Sequence, residues 1–224
     1  MKIIAALVAV AGLGAVANAD ILANWTYEVS VPATAGPHVA EAGVNAATSQ
    51  STGFHSVASV YSNPVGNGSA ESFSSNTWTV GDYYQFTTST LGFNSISIGW
   101  DQTSSNTGPR DFNLRYSTDG TTFFNIGSTY SVLANGAPNT PWSSLGSPNA
   151  AFSFLQSGPA ALDNQATVWF RMTQANTISA NGGVVAAGGT DRVDNIVING
   201  TVVPAPASIA LVGLAGLIAG RRRR

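Results

Sequence analysis

Apolar and polar residues alternate along much of this chain. Phe93-Asn94-Ser95-Ile96-Ser97-Ile98-Gly99-Trp100 sets Ile96, Ile98 and Trp100 on one face. Phe112, Leu114 and Tyr116 alternate with Asn113 and Arg115, while Val168, Phe170 and Met172 alternate with Trp169 and Arg171. A period of two belongs to half-buried strands. Tyr83-Tyr84-Gln85-Phe86 and residues 192–198 follow the same period less cleanly. Asp119-Gly120, between Leu114-Arg115-Tyr116 and Phe123-Phe124, predicts a hairpin. No amphipathic helix shows in this region. Residues 133–158, rich in Pro, Gly, Ser and Ala, read as a long loop or insertion. Many short strands with Gly and Asn turns predict an all-β sandwich, with no repeat at solenoid or propeller spacing.

Both ends break this pattern. MKIIAALVAVAGLGAVANAD has Lys2, an apolar stretch over residues 3–16, and Ala17-Asn18-Ala19 before Asp20. That is a secretory signal with an A-x-A cleavage site formed by Ala17 and Ala19. At the other end, residues 207–220 are small and apolar without interruption. Fourteen helical residues span about 21 Å, against a hydrocarbon core of about 30 Å. Pro204 and Pro206 discourage a longer helix. Arg221, Arg222, Arg223 and Arg224 follow and would hold that end in the cytoplasm. The organisation read from the sequence is a signal over 1–19, a sandwich over 20–200 and a tail over 201–224.

Composition narrows the function classes. Only 9% of the 224 residues are charged, and there is no cysteine, so disulfides, zinc-thiolate sites and thiol nucleophiles are absent. Between the two ends, four arginines and no lysine stand against eleven acids, a net of −7. A body of that charge with no basic stripe is not a nucleic-acid binder.

The tail resembles a known family. Val203-Pro204-Ala205-Pro206-Ala207-Ser208, the apolar run and the four arginines are similar to the PEP-CTERM sorting tail of Gram-negative bacteria. Ala205 stands where that family usually has Glu. The resemblance implies an exosortase-type processing enzyme and the export machinery as partners. It also implies a transient hold in the inner membrane through the C-terminal helix, and a destination at the cell surface or in the extracellular matrix, often beside exopolysaccharide. A permanent anchor and a buried core helix are the other readings of the same run.

The body resembles bacterial extracellular jelly-roll domains of the MAM-like, galactose-binding-like and carbohydrate-binding kinds. The resemblance rests on Gly81-Asp82-Tyr83-Tyr84-Gln85-Phe86, Ile96-Ser97-Ile98-Gly99-Trp100-Asp101 and Gly108-Pro109-Arg110-Asp111-Phe112, continuing to Asp119-Gly120. Trp25-Thr26-Tyr27-Glu28 opens and Asp191-Arg192-Val193-Asp194-Asn195-Ile196-Val197-Ile198 closes the same pattern. In such modules an acid near the first strand and an Asp in the last meet at one structural cation, which implies a calcium site at Glu28 and Asp194. Alternation places Asp194 on the face of Ile196 and Ile198, where a charge needs a partner. An arginine or hydrogen-bond partner, or an edge position in water, are the competing readings.

Other chemistry is sparse. His38 and His55 are the only histidines, and His55 reads as an outward strand residue. No nucleophile elbow, His-Glu-x-x-His or phosphate loop is present, and no carboxylate sits in a glycosidase motif. Among five tryptophans, Trp100 reads as core. Trp142, in Thr140-Pro141-Trp142-Ser143, is the candidate exposed aromatic for a sugar, unless it pins its loop. Arg110 serves a ligand or pairs with Asp101 or Asp111. These features predict a non-catalytic exported surface or matrix protein associated with exopolysaccharide. The alternatives are a specific carbohydrate-binding module and, behind it, a secreted glycoside hydrolase.

Overall fold

The computed structural model describes residues 19–204. Thirteen strands occur in it: β1 (Ala19–Trp25), β2 (His38–Val39), β3 (Gln50–Phe54), β4 (Tyr61–Ser62), β5 (Phe73–Ser75), β6 (Tyr83–Thr88), β7 (Phe93–Ser104), β8 (Asp111–Ser117), β9 (Phe124–Asn125), β10 (Tyr130–Ser131), β11 (Ser153–Ser157), β12 (Val168–Gln174) and β13 (Asp191–Val202). Every named pair is antiparallel, and only three short 3-10 turns interrupt the strands and loops. The first sheet runs β11-β7-β13-β5-β4, with β1 also on β13; the second runs β10-β8-β12-β6-β3-β2, with β9 also on β8. This is the predicted all-β sandwich. The signal residue Ala17, the tail residues Ala205, Pro206 and Ser208, and Arg221, Arg222, Arg223 and Arg224 lie outside the described residues, as does the expected apolar helix. Ala19 opens β1 and Pro204 is exposed.

Alternation explains the layers. Ile96, Ile98 and Trp100 of β7 are at most 2% exposed, and Phe112 and Leu114 of β8 and Phe170 and Met172 of β12 are equally buried. Aromatic rings bridge the two inner faces. Trp25 of β1 meets Phe86 of β6 edge-on at 5.4 Å, and Phe73 of β5 meets Tyr84 of β6 at 5.0 Å. Trp78 touches both Tyr84 and Phe112. Such rings bury a large apolar area each and add about 0.5–1.5 kcal/mol per well-oriented pair. The predicted hairpin is present: β8 pairs with β9, and Gly120 takes the left-handed conformation (φ 75°) its turn needs.

Two expectations change. The stretch 133–158 is a loop only to residue 152, because β11 closes the edge of the first sheet against β7. An edge strand has one paired side and exposes Leu155 and Gln156, so it lacks the alternation that marks central strands. On β13, the register slips between Asp194 and Val197, with Asn195 at φ 50°. The bulge lets Val193 and Ile196 both join the core. Asp194 therefore points away from the face of Ile196 and Ile198, under the loop of residues 63–72.

Phe86→Ala should cost about 3–5 kcal/mol of stability, as for other buried aromatics. Leu145→Ala, on a side chain 83% exposed, should stay within about 0.5 kcal/mol. Urea midpoints of the two variants check the layer assignment.

Candidate functional site

The expected cation residues come to one loop. Asp194 is fully buried. It accepts hydrogen bonds from the Asn67 amide (2.8 Å), the Ser69 hydroxyl (2.6 Å) and the Asn195 amide (2.7 Å). Glu28 is exposed and accepts the Glu71 amide at 2.8 Å. Both carboxylates thus hold residues 66–71 from opposite ends, without a bond between them. A side chain on Gly66 would collide with the Ser69 hydroxyl, the Glu71 carbonyl and the Asp194 carboxylate, so three oxygens converge there. Asp101, opposite Asp194 in register, accepts from the Asn67 and Asn195 side-chain amides at 2.9 and 2.8 Å. Hard oxygens of this kind suit calcium. Among the described residues no three His, Asp or Glu side chains gather as ligands, so a cation here would lean on neutral oxygens beside Asp194. Burial, with Asp101 adding to it, pushes the Asp194 pKa up to about 7 against the Ser69, Asn67 and Asn195 hydrogen bonds. No arginine forms an ion pair with it among the described residues.

The other singled-out residues have partners within the body. Trp142 is 6% exposed, edge-on to Phe152 at 6.1 Å, with the Arg192 guanidinium 5.1 Å from its ring. It takes the loop-pinning place and is not an exposed aromatic, because Phe152 and Arg192 cover it. Arg110 forks onto Asp111 with two 2.9 Å hydrogen bonds and, with burial opposing, lowers the Asp111 pKa to about 2. His38 is buried against Phe73.

His55 turns inward, contrary to expectation. Its side chain is 2% exposed, with Nδ1 3.0 Å from Asp82 and Nε2 2.9 Å from the Ser75 hydroxyl. Ser75 lies 3.0 Å from the Tyr84 hydroxyl, which donates to the Asp191 carbonyl at 2.8 Å. The order Asp82, His55, Ser75 is that of a serine hydrolase triad. Ser75, however, is 1% exposed, and its hydroxyl is held by the Tyr84 hydroxyl. The chain of bonds ties the two sheets through the core. Burial lowers the His55 pKa although Asp82 opposes it.

The outer face of the second sheet carries a feature that single residues did not announce. Cross-strand register builds three rows on it: Gln50, Thr87, Trp169 and Ser117; Thr52, Gln85, Arg171 and Arg115; Phe54, Tyr83, Thr173 and Asn113. Phe54, 47% exposed, stacks on Tyr83 at 5.0 Å with planes 17° apart. The Arg171 guanidinium lies 3.9 Å from the Tyr83 centroid and 3.6 Å from that of Phe123. Its Nε donates to Gln85 at 2.8 Å, and Arg115 donates to the Phe123 carbonyl at 2.7 Å. Residue types at alternating positions could have marked these side chains as outward. Only pairing of distant strands makes them neighbours.

No protein-family model and no curated protein matches the chain. Among solved structures, the CBM22-1 xylan-binding domain from Paenibacillus barcinonensis Xyn10C superposes with a TM-score of 0.47 at 11% identity, over 85% of this chain and 100% of that one. The K3 cleaved adhesin domain of Lys-gingipain from Porphyromonas gingivalis gives 0.46 at 14%, over 80% and 98%. The C-terminal family 22 carbohydrate-binding module of Clostridium thermocellum Xyn10B gives 0.41 at 13%, over 80% and 92%. At these scores the likenesses carry no argument about a ligand, which has to come from this chain's own side chains.

Opposite pH dependences follow for the two buried groups. The unfolded chain protonates His55 before the folded one, so stability from neutral His55 is full above pH 6.5 and falls as pH drops below it. Asp194 binds its proton more tightly when folded, so its contribution is present below pH 3.8 and is lost as pH rises towards about 7. That loss amounts to about 4 kcal/mol at most. Without calcium, the parent's melting midpoint should therefore fall between pH 4 and pH 8 relative to that of Asp194→Asn, which has no carboxyl group to titrate there. Excess calcium at pH 8 should raise the parent's midpoint and not the variant's; melts unmoved by calcium would remove the cation.

Proposed function

We propose that this chain is a non-catalytic exported protein that binds polysaccharide through the outer face of its second sheet. The observation that carries the reading is the Phe54–Tyr83–Arg171–Phe123 stack with Gln85, Thr52 and Thr87 beside it. Sugar rings pack their C–H faces on aromatic planes, and amide and guanidinium groups bond their hydroxyls. A flat, rigid, strand-borne array of this kind suits an extended polymer.

The ends supply the address. The leader ending at Ala19 directs export, and the Pro204-Ala205-Pro206 tail with its arginine cluster directs an exosortase-type enzyme. The destination is the cell surface or extracellular matrix, beside exopolysaccharide. β1 and β13 are neighbours, with Ala19 opposite Thr201. The described chain thus begins and ends on the first sheet, and the aromatic face lies on the second.

Two measurements test this. Native gels cast with polysaccharides, the producer's own included, should retard the protein. Tyr83→Ala should weaken retardation by about tenfold, the equivalent of about 1.4 kcal/mol, with little change in melting midpoint. No retardation by any polymer would leave a passive coat component. Intact mass of the exported protein should show Asp20 as first residue and Arg221 to Arg224 removed; a retained arginine cluster would exclude processing of the tail.

A further inference from the structure

Four arginines face eleven acids in the body, so every arginine has carboxylates to choose from. Arg110 takes Asp111, and Arg192 lies against Trp142 and donates to the Val65 carbonyl at 2.7 Å. Arg115 and Arg171 form no ion pair among the described residues, yet they are direct partners across β8 and β12. Like charges opposite one another in a sheet repel. Asp111 and Asp119, each four residues from Arg115, are already taken, the first by Arg110, Ser131 and Asn176 and the second by the Ser117 hydroxyl and the Thr121 and Thr122 amides.

The two guanidinium groups are also held in place. Arg171 is clamped between the Tyr83 and Phe123 rings and oriented by Gln85, which fixes its plane and leaves its terminal nitrogens without a hydrogen bond among the described residues. Arg115 is fixed by the Phe123 carbonyl, and its Nε is buried with no partner. Burial lowers the Arg171 pKa, with Arg115 adding to the effect and Tyr83 opposing it. Such an arrangement costs stability unless an anion offsets it, and a planar fork on a rigid stack is the geometry that receives a carboxylate through two parallel hydrogen bonds.

We propose that Arg171 and Arg115 make the outer face of the second sheet selective for sugars bearing a carboxylate, such as uronic acid residues in an acidic polysaccharide. The proposal rests on the polysaccharide-binding reading and names its substrate class. The exposed Phe54 ring at the end of the stack holds one sugar ring of the polymer, and the arginine pair holds the C6 carboxylate of a neighbouring one. The body's net of −7 repels polyanions at long range, so attraction arises only at the pair and only for a polymer that also stacks.

The test compares polygalacturonate, its methyl-esterified form, dextran sulfate and neutral xylan by calorimetry with the full chain. Variants are R171Q, R171K and R110Q, the last removing a charge away from the face. Polygalacturonate should bind at least tenfold more tightly than the ester or xylan. R171Q should lose that advantage, R171K should recover little of it, and R110Q should keep it, each with a cooperative melt. R171K preserves charge and stem, so it stays informative if R171Q folds poorly. Equal binding of acid and ester, indifferent to R171Q, would overturn acid selection and leave polysaccharide binding standing. Dextran sulfate binding as tight as polygalacturonate, with R171K equal to the parent, would show charge attraction and overturn carboxylate selection. No binding by any polymer would end both readings.

Discussion

A carboxylate in this body rarely meets a cation, so it must find N–H groups instead. Glu41 accepts the Thr26, Val29 and Ser30 amides, Asp82 the Ser56 and Thr79 amides, and Asp119 the Thr121 and Thr122 amides. Asp194 and Glu28 do the same for residues 66–71. Each of these bonds satisfies a loop amide that no sheet partner reaches, and those of Glu41 and Asp82 are charge-assisted. The acids thereby act as staples for long loops in a chain that has no disulfide. Glu41 and Asp82 also show the balance directly, since their hydrogen bonds outweigh burial and keep both pKa values below the ordinary carboxylate range.

That arrangement shapes the rest of the molecule. With the acids committed to backbone amides, the arginines are free to stack. Arg192 covers Trp142, and Arg171 lies between Tyr83 and Phe123. The inner faces of the sheets are closed by aromatic contacts and by the Asp82–His55–Ser75–Tyr84 chain. The outer face of the second sheet carries the exposed Phe54 ring and the half-buried Tyr83 ring on strands that the core holds still. A rigid support lowers the entropy lost when a polymer docks.

Much of the fold was legible in the chain. Period-two alternation placed Ile96, Ile98, Trp100, Phe112, Leu114, Phe170 and Met172 inward, and Asp119-Gly120 marked its hairpin. Edge and bulge positions were not legible. β11 has one paired side and no alternation, and the bulge at Asn195 reverses the face of Asp194 by local backbone geometry. Trp142 and His55 misled for one reason: a residue in a weakly patterned segment is buried or exposed according to what folds over it.

The candidate site divides along the same line. Sequence alone determined that Arg115, Trp169 and Arg171 alternate with the inward residues of their strands, because a strand's side chains alternate by stereochemistry. It also determined the acid excess, which is a property of composition. Tertiary structure decided that Arg171 sits beside Arg115 and between Tyr83 and Phe123. Those residues are tens of positions apart, and strand register, set by burial of the opposite face, brings them together.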